Sequence, residues 1–319
     1  MSKERLDRNL KFDMVRITEA AAISAAKYIG IGDKNAGDQA AVDAMREVLR
    51  KTPINGTIII GEGAKDEAPM LFNGEKVGSG DGAHMDIAVD PVEGTNLLAY
   101  DRPNSIAVLA MSEAGSMWNP GESLYMKKIV VEEKAKDAID ITKSATENLN
   151  SIAKALGKKV AELTVFLLDK PRHQDLIQEI RNVGARISIQ TDGDVMGALL
   201  AATPNSDIDV LMGIGGTPEG VISAVAVKAL NGGMQGMRAP QLQSEKDLLI
   251  KDKVRLDEVL HLDDLINSDD AFFAATGITG GSVLERVDFQ ETGFVTTYSL
   301  AIQAATNSVQ HIKGRYPIK

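Results

Sequence analysis

The sequence predicts a layered α/β protein. Short apolar runs rich in β-branched residues alternate along the chain with segments of helical periodicity, which is the pattern of sheets packed against helices. The 319 residues and the hydrophobic fraction of 44% can supply two cores. The polar segment 132–137 indicates a boundary region. We therefore expect two α/β lobes, residues 1–160 and 161–319.

The helical segments show apolar residues at three- and four-residue spacing. In the second of them Val42, Met45 and Leu49 form one stripe, which is typical of a helix packed on a core. Another begins with Thr217 as the expected N-cap and Pro218 as the expected first helical residue. The predicted helices span residues 18–29, 37–50, 145–156, 172–183, 192–202 and 218–231.

The strand-like runs are short and bounded by turn residues. One of them precedes Pro91, which lacks the N–H group that a sheet ladder needs, so we expect that strand to stop near Asp90. The predicted strands span residues 57–60, 85–90, 105–112, 127–132, 163–169, 186–190, 208–213, 271–275 and 294–300.

Composition excludes several function classes. The absence of cysteine excludes a disulfide framework, thiol catalysis and cysteine zinc sites. The formal charge of −10 argues against nucleic-acid binding, which requires clustered basic residues. Because no apolar run approaches 18 residues and the first eight lack a signal-peptide core, we expect a cytoplasmic protein without a membrane partner.

A glycine-rich loop resembles a nucleotide-binding motif only at its start. Residues 213–218 begin like a dinucleotide fingerprint, but Pro218 stands where the third glycine is needed. The chain also has no P-loop sequence. This pattern favours a loop that cradles a phosphate group.

The residues 89–95, Val-Asp-Pro-Val-Glu-Gly-Thr, place two carboxylates and a hydroxyl at the end of an apolar run. Carboxylate oxygens are the ligands that Mg²⁺ and Mn²⁺ prefer, and Mg²⁺ keeps coordination positions for water and substrate phosphate. Asp90 and Glu93 are therefore candidate metal ligands, and the hydroxyl of Thr95 is a candidate for holding an attacking water. The alternative is an ordinary acidic turn.

Acidic residues recur at other strand ends and helix starts. Asp38 follows Lys34 in a polar joint between two helical patterns, and Glu62 stands between two glycines after a β-branched run. Glu219 lies at a helix start, where it is either a ligand or a first-turn acid that complements the helix dipole. Bound cations would neutralise these carboxylates and attract a phosphate substrate.

A basic cluster follows a strand-like run later in the chain. Lys170, Arg172 and His173 stand next to one another around a proline, where they indicate either a phosphate site or a solvated helix start. Asp192 and Asp194 open the next helix, where they are either N-caps or ligand-binding residues.

Taken together, the motifs resemble the class II fructose-1,6-bisphosphatases, within the lithium-sensitive, metal-dependent sugar and inositol phosphatase superfamily. The wider superfamily usually has aspartate at position 93, and the glutamate found here is similar to the class II form. The stretch 237–257 and residues 100–103 depart from the family pattern. The resemblance is carried by residues 16–21, 32–34, 60–63, 66–70, 74–78, 88–95, 125–126, 170–173, 192–195, 213–216, 218–221 and 274–277.

The resemblance implies an αβαβα sandwich and hydrolysis of the 1-phosphate of fructose 1,6-bisphosphate, a gluconeogenic reaction, with Mn²⁺ or Mg²⁺ as cofactor. It also implies a homodimer or homotetramer. The implied metal ligands are Asp38, Glu62, Asp90, Glu93 and Glu219. The implied catalytic residues are Thr95, Lys34, Asp38 and Glu62. The implied substrate-binding residues are Glu93, Gly94, Thr95, Tyr125, Lys170, Arg172, Asp192, Asp194 and Gly216.

Two other hypotheses stay open at this point. One is a related phosphatase that acts on sedoheptulose 1,7-bisphosphate or an inositol phosphate, although the basic pair Lys170 and Arg172 favours a bisphosphate. The other is a non-catalytic sugar-phosphate-binding regulator. Such a regulator has no need of Thr95 or of every metal ligand, yet each expected catalytic position is filled.

Overall fold

The computed structural model describes residues 10–63 and 70–318, so residues 66–69 and the first eight residues discussed above lie outside it. Within the described ranges, no helix combines the length and the apolar character of a membrane span. The helices are α1 (Leu10–Ala26), α2 (Lys34–Leu49), α3 (Thr95–Ala99), α4 (Ala145–Leu156), α5 (Gln174–Val183), α6 (Val195–Ala202), α7 (Thr217–Ala229), α8 (Gln243–Lys251) and α9 (Leu262–Leu265).

The strands form two sheets, which together with the helices confirm the predicted mixed α/β class. The strands are β1 (Ile54–Ile60), β2 (Lys76–Val77), β3 (Ala83–Glu93), β4 (Ile106–Glu113), β5 (Tyr125–Val131), β6 (Thr164–Leu168), β7 (Arg186–Gln190), β8 (Val210–Gly216), β9 (Gly233–Arg238), β10 (Leu260–His261), β11 (Ala271–Gly277), β12 (Asp288–Gln290), β13 (Phe294–Gln303) and β14 (Ser308–Pro317).

The first compact unit comprises the described residues up to Met117 and those from Ser268 onward. Its strands follow the order β12-β13-β11-β4-β3-β1-β2, and β14 pairs with β13. Helices α1 and α2 contact each other and this sheet, and they bury Met14, Met45 and Leu49 in one hydrophobic core with Phe272. Strands β1 and β3 are parallel neighbours, so their carboxyl ends lie at the same edge of the sheet.

The second unit comprises Trp118–Asn267. Its sheet has the order β10-β9-β5-β8-β6-β7. Helices α4 and α5 bury Leu149, Ile152, Ile177 and Ile180 in a core with this sheet. Helices α6 and α7 contact each other and strands β5 and β8 of the same sheet.

The chain passes between the units near residues 117 and 268, whereas the sequence suggested one boundary near residue 160. The difference arises because β11 to β14 return to the sheet that β1, β3 and β4 began. Residue 160 lies inside the second unit, a few residues before β6. Hydrophobic periodicity identifies strands but does not identify the sheet that each strand joins.

The predicted helices and strands all correspond to observed elements, with differences at their ends. Helix α1 already includes Leu10, the first described residue, whereas its start was expected near residue 18, because Leu10 and Met14 extend its buried face. The N-cap of α7 is Gly216, whereas Thr217 was expected, because Thr217 is already helical. The prediction omitted α3, α8 and α9, and it also omitted strands β2, β9, β10, β12 and β14.

The expected stop of β3 near Asp90 is wrong, since the strand continues to Glu93. The pairing of β3 with β4 shifts register between Asp90 and Glu93, so a β-bulge accommodates the intervening residues. Pro91 lies within this bulge, where the sheet requires no N–H donor from it. The bulge changes the direction of the side chains that follow Asp90.

Candidate active site

The bulge at the end of β3 brings two carboxylates together. Carboxylate oxygens of Asp90 and Glu93 lie within 4.8 Å of each other. The backbone N–H of Val92 donates to Asp90 Oδ1 at 3.0 Å, which fixes the aspartate side chain against its own turn. Glu93 is only 4% exposed, and burying its charge is favourable only with compensating partners.

Gly94 turns the chain from β3 into α3. Its φ of 85° and ψ of 56° lie in the left-handed region, and an added Cβ would lie 2.8 Å from the side chain of Leu97. Glycine is therefore required at this turn for both backbone and packing reasons. The turn makes Thr95 the first residue of α3, half-buried and two residues beyond Glu93.

Two further carboxylates of the first unit influence each other. Burial raises the pKa of Asp38, in the first turns of α2, to about 6. Burial, followed by the nearby charge of Asp38, raises the pKa of Glu62 to about 7. Glu62 follows β1, whose carboxyl end lies beside that of β3. The structure thus places Glu62 at the sheet edge that carries Asp90.

Lys34 is the first residue of α2 and is exposed. The side chain of Asp33 caps this helix by accepting a hydrogen bond from the Ala36 N–H. Because Lys34 and Asp38 are four residues apart on one helix, they share a face. The polar joint predicted from the sequence is therefore a capped helix start that presents a lysine and a half-buried aspartate.

In the second unit, Glu219 lies in the first turn of α7, three residues after Gly216. Its Oε2 is buried and has no hydrogen-bond partner among the described residues. Burial, followed by the nearby charge of Asp194, raises its pKa. A Cβ at Gly216 would collide with the Glu219 carboxylate, so glycine allows that side chain to lie against the backbone. A dipole-complementing acid exposed to water would show none of these features.

A buried ion pair beside Glu219 was not identified from the sequence. Lys128 of β5 is 2% exposed, and its Nζ lies 2.6 Å from Asp194 Oδ2 and donates to the Gly216 carbonyl at 3.0 Å. Asp194 occupies the N-cap position of α6 without making a capping bond. Its Oδ1 has no hydrogen-bond partner in the described chain. The sequence signal was the pair Lys127 and Lys128 within a strand that is otherwise mostly apolar.

We expect Lys128→Met to reduce the free energy of unfolding by about 3 kcal/mol, since it leaves the buried Asp194 carboxylate without its cation. Urea unfolding followed by circular dichroism measures this loss. Lys127→Met is the matched control, because Lys127 is a partly buried neighbour whose Nζ donates to the Ile141 carbonyl and to no carboxylate among the described residues. The double variant Lys128→Met/Asp194→Asn should recover part of the stability, and additive losses would contradict this interpretation.

The basic cluster begins just after β6. Lys170 Nζ lies 4.0 Å from Asp192 Oδ1. Arg172 donates from Nε and Nη2 to the Ile214 carbonyl at 3.0 and 2.8 Å, and its guanidinium lies 5.3 Å from the centre of the Tyr125 ring. The structure therefore brings the predicted residues Lys170 and Asp192 together, and Arg172 and Tyr125 together. Three of the five guanidinium N–H donors remain beyond the two bonds to Ile214.

His173 is not part of a solvated helix start, which was one of the two expectations for this segment. Its side chain is buried, with 2% of the residue exposed. Both ring nitrogens lie within hydrogen-bond distance of backbone groups, those of Leu168 and Ile214. Sequence reasoning did not find this role, because the partners come from two separate strands.

The residues of each unit suit a hard divalent cation. All candidate side-chain ligands are carboxylates, the donor type that Mg²⁺ and Mn²⁺ select. Burial raises the pKa values of Asp38 and Glu62, and the buried Oε2 of Glu219 has no hydrogen-bond partner among the described residues, so a bound cation would stabilise the charged form of these carboxylates. The burial and the hydrogen bonding of these carboxylates therefore fit a site for a divalent cation.

The chain was compared with known proteins. A family model described as bacterial fructose-1,6-bisphosphatase, glpX-encoded, matches residues 8–316. The fructose-1,6-bisphosphatase 1 class 2 of Escherichia coli K12 is 42% identical over 320 residues, covering 96% of this chain and 95% of the relative. The class 2 fructose-1,6-bisphosphatases of Escherichia coli O6:H1 and Shigella flexneri match with the same identity and coverage.

Proposed function

Because the chain belongs to the family of bacterial, glpX-encoded fructose-1,6-bisphosphatases, we propose that it hydrolyses the 1-phosphate of fructose 1,6-bisphosphate, giving fructose 6-phosphate and phosphate. The observation that carries the chemistry is the pair Asp90 and Glu93, whose carboxylate oxygens lie within 4.8 Å of each other at the bulged end of β3. Two carboxylates at this distance repel each other unless a cation lies between them. Such a pair offers the oxygen ligands that a divalent cation prefers.

The proposed metal ligands are Asp38, Glu62, Asp90, Glu93 and Glu219, with the Val92 carbonyl as a further candidate. When bound, divalent ions supply charge stabilisation for the phosphate and lower the pKa of a water molecule. We propose Mn²⁺ or Mg²⁺, since both take oxygen ligands.

The hydroxyl of Thr95 would orient the attacking water, because Thr95 stands two residues after Glu93 and is the first residue of α3. A raised pKa suits a carboxylate that accepts a proton near neutral pH, so Asp38 or Glu62 would take the proton of that water. Lys34 would stabilise the developing negative charge from the start of α2. Orientation and electrostatic stabilisation then account for most of the rate enhancement.

Residues around the second sheet would bind the sugar phosphate. We assign the distal 6-phosphate to Lys170 and Arg172, and the sugar hydroxyls to Asp192 and Asp194. The remaining proposed substrate-binding residues are Glu93, Gly94, Thr95, Tyr125 and Gly216. Support for the distal-phosphate assignment comes from the guanidinium of Arg172, which two bonds to Ile214 and the ring of Tyr125 hold in one orientation.

We expect Arg172→Ala to cost about 1.5–3 kcal/mol in kcat/KM for fructose 1,6-bisphosphate, the scale of a hydrogen bond to a charged group. The loss should be far smaller for fructose 1-phosphate, which lacks only the distal phosphate. Steady-state kinetics with both substrates measures the difference. Arg181→Ala, which removes an exposed arginine at the end of α5, is the matched control. Equal losses on both substrates would contradict the assignment.

A phosphate-release assay across a panel of substrates tests the proposed function. The panel contains fructose 1,6-bisphosphate, sedoheptulose 1,7-bisphosphate and inositol monophosphate, each with Mn²⁺ and with Mg²⁺. We expect the highest kcat/KM with fructose 1,6-bisphosphate. A preference for sedoheptulose 1,7-bisphosphate would establish the alternative sugar bisphosphatase, and a preference for inositol monophosphate would overturn the bisphosphatase assignment.

Three further expectations, two of them implied by the resemblance and one by the composition of the chain, are proposals as well. A homodimer or homotetramer is expected, and sedimentation equilibrium measures the mass of the assembly. A cytoplasmic location is expected, and cell fractionation tests it. Membership of the wider lithium-sensitive superfamily predicts that Li⁺ inhibits turnover, and unchanged activity in lithium salts would contradict it.

A further inference from the structure

His173 connects two strands of the second sheet where they cease to pair. Strands β6 and β8 are parallel neighbours, and among the described residues they pair through Val165 with Val210 and Phe166 with Leu211. Two residues further along β6, the Leu168 carbonyl lies 2.7 Å from His173 Nδ1. Beyond the residues of β8 that pair with β6, the Ile214 N–H donates to His173 Nε2 at 2.8 Å. The imidazole thus bridges the gap that opens between the strands.

These two bonds define the state of the ring. A carbonyl can only accept, so Nδ1 carries the proton and donates to Leu168. Nε2 accepts from Ile214, so it carries no proton, and the ring is the neutral Nδ1–H tautomer. Burial lowers the pKa of His173, which agrees with this neutral state.

The backbone of β8 is shaped to receive the ring. Gly213 has a φ of 138°, outside the range that residues with side chains prefer. A Cβ at Gly213 would lie 3.0 Å from His173 Nε2, closer than an ordinary van der Waals contact. Glycine at this position therefore allows the imidazole to lie directly against the strand.

The next residue, Ile214, connects His173 to Arg172, which is proposed to bind the distal phosphate. The N–H of Ile214 is held by His173, and the carbonyl of the same residue accepts both hydrogen bonds from Arg172. His173 and Arg172 are also consecutive in the chain, and the His173 N–H donates to the Lys170 carbonyl at 2.9 Å. His173 therefore holds Ile214 in place, and Ile214 in turn holds the guanidinium of Arg172.

We propose that His173 is a positioning residue for recognition of the distal phosphate, acting through Ile214 on Arg172. The proposal rests on the proposed function, because it assumes that Arg172 binds the phosphate that is not cleaved. It predicts that loss of the Ile214 bond lowers discrimination between the bisphosphate and a 1-phosphate, while loss of the Leu168 bond has a smaller effect.

Two substitutions separate the two bonds. In His173→Asn the side-chain amide can reach the Nδ1 position and donate to Leu168, but it cannot reach the Ile214 N–H. In His173→Gln the longer side chain places its amide oxygen near the Nε2 position, where it can accept from Ile214. We expect His173→Asn to lower kcat/KM for fructose 1,6-bisphosphate about tenfold, the scale of one lost hydrogen bond, with much less change for fructose 1-phosphate. For His173→Gln, the ratio of kcat/KM for fructose 1,6-bisphosphate to kcat/KM for fructose 1-phosphate should stay close to that of the wild type.

A double variant tests whether the effect passes through Arg172. In an Arg172→Ala background, His173→Asn should cause little further loss of kcat/KM for fructose 1,6-bisphosphate, since the guanidinium that is proposed to bind the distal phosphate is already absent. Urea unfolding of each variant detects general destabilisation. If His173→Asn does not fold, His173→Gln provides the test. A His173→Gln variant whose preference for fructose 1,6-bisphosphate over fructose 1-phosphate, measured as the ratio of the two kcat/KM values, is as low as that of Arg172→Ala would overturn the proposal.

Two other outcomes are distinguishable. Equal losses on both substrates, or a full further loss in the double variant, would show that His173 has only a structural role. A wild-type protein that does not turn over fructose 1,6-bisphosphate would instead overturn the proposed function, and this role of His173 with it.

Discussion

Asp90→Asn should lower kcat for fructose 1,6-bisphosphate by about 10³-fold or more. The substitution keeps the size of the side chain but removes one of the two negative charges at the end of β3. A metal contributes several kcal/mol of charge stabilisation to a phosphoryl transition state, and each 1.4 kcal/mol changes the rate about tenfold. Initial-rate kinetics at saturating Mn²⁺ measures the effect.

Asp81→Asn is a suitable control, because Asp81 is an exposed aspartate shortly before the same strand. Its removal changes the net charge by the same amount without touching the bulge. Calorimetric titration of Mn²⁺ into both variants gives a second readout, in which only Asp90→Asn should weaken binding. Near-normal turnover by Asp90→Asn with unchanged Mn²⁺ affinity would exclude Asp90 as a ligand.

Thr95→Ala should lower kcat by about 10²-fold or more with little change in KM. This pattern indicates an interaction that exists mainly in the transition state, as expected for a hydroxyl that orients the attacking water. Thr95 is placed for this role because the left-handed Gly94 starts α3 immediately after the carboxylate pair. Steady-state kinetics with fructose 1,6-bisphosphate provides both constants.

Two further substitutions isolate the hydroxyl. Thr95→Ser keeps it and should retain part of the activity, whereas Thr95→Val keeps the branched shape without it and should resemble Thr95→Ala. If the valine variant were as active as wild type, the water would be positioned by other groups, and the proposed role of Thr95 would be wrong.

Much of the fold is readable from local patterns. The stripe of Val42, Met45 and Leu49 predicted α2, since a helix of this periodicity buries one face. The apolar run before Asp90 predicted most of β3. Strands β9 and β14 were missed because β9 contains two glycines and β14 presents mostly exposed or half-buried side chains, so neither shows a strong apolar alternation.

The continuation of β3 through Pro91 was not predictable from proline alone. It depends on a bulge opposite β4, and the partner strand of a run is not encoded in that run. The division into units was missed for the same reason, since β11 joins β4 across a long sequence separation.

Part of the candidate site could likewise be predicted from the sequence, and part could not. Sequence motifs gave the acidic and basic residues proposed for catalysis and binding, because those residues follow strand ends or begin helices. The Lys128–Asp194 pair and the two bonds of His173 depend on side chains that meet across different elements. Only the assembled sheet of the second unit shows that these residues support their neighbours.

The most direct test of the central claim, metal-dependent hydrolysis of a sugar bisphosphate, is phosphate release from fructose 1,6-bisphosphate by metal-stripped protein. After treatment with a chelator and its removal, we expect no measurable turnover, because the carboxylates of the first unit then lack the cations that balance their charge. Adding Mn²⁺ or Mg²⁺ should restore activity. Full turnover by the metal-stripped protein would contradict the claim.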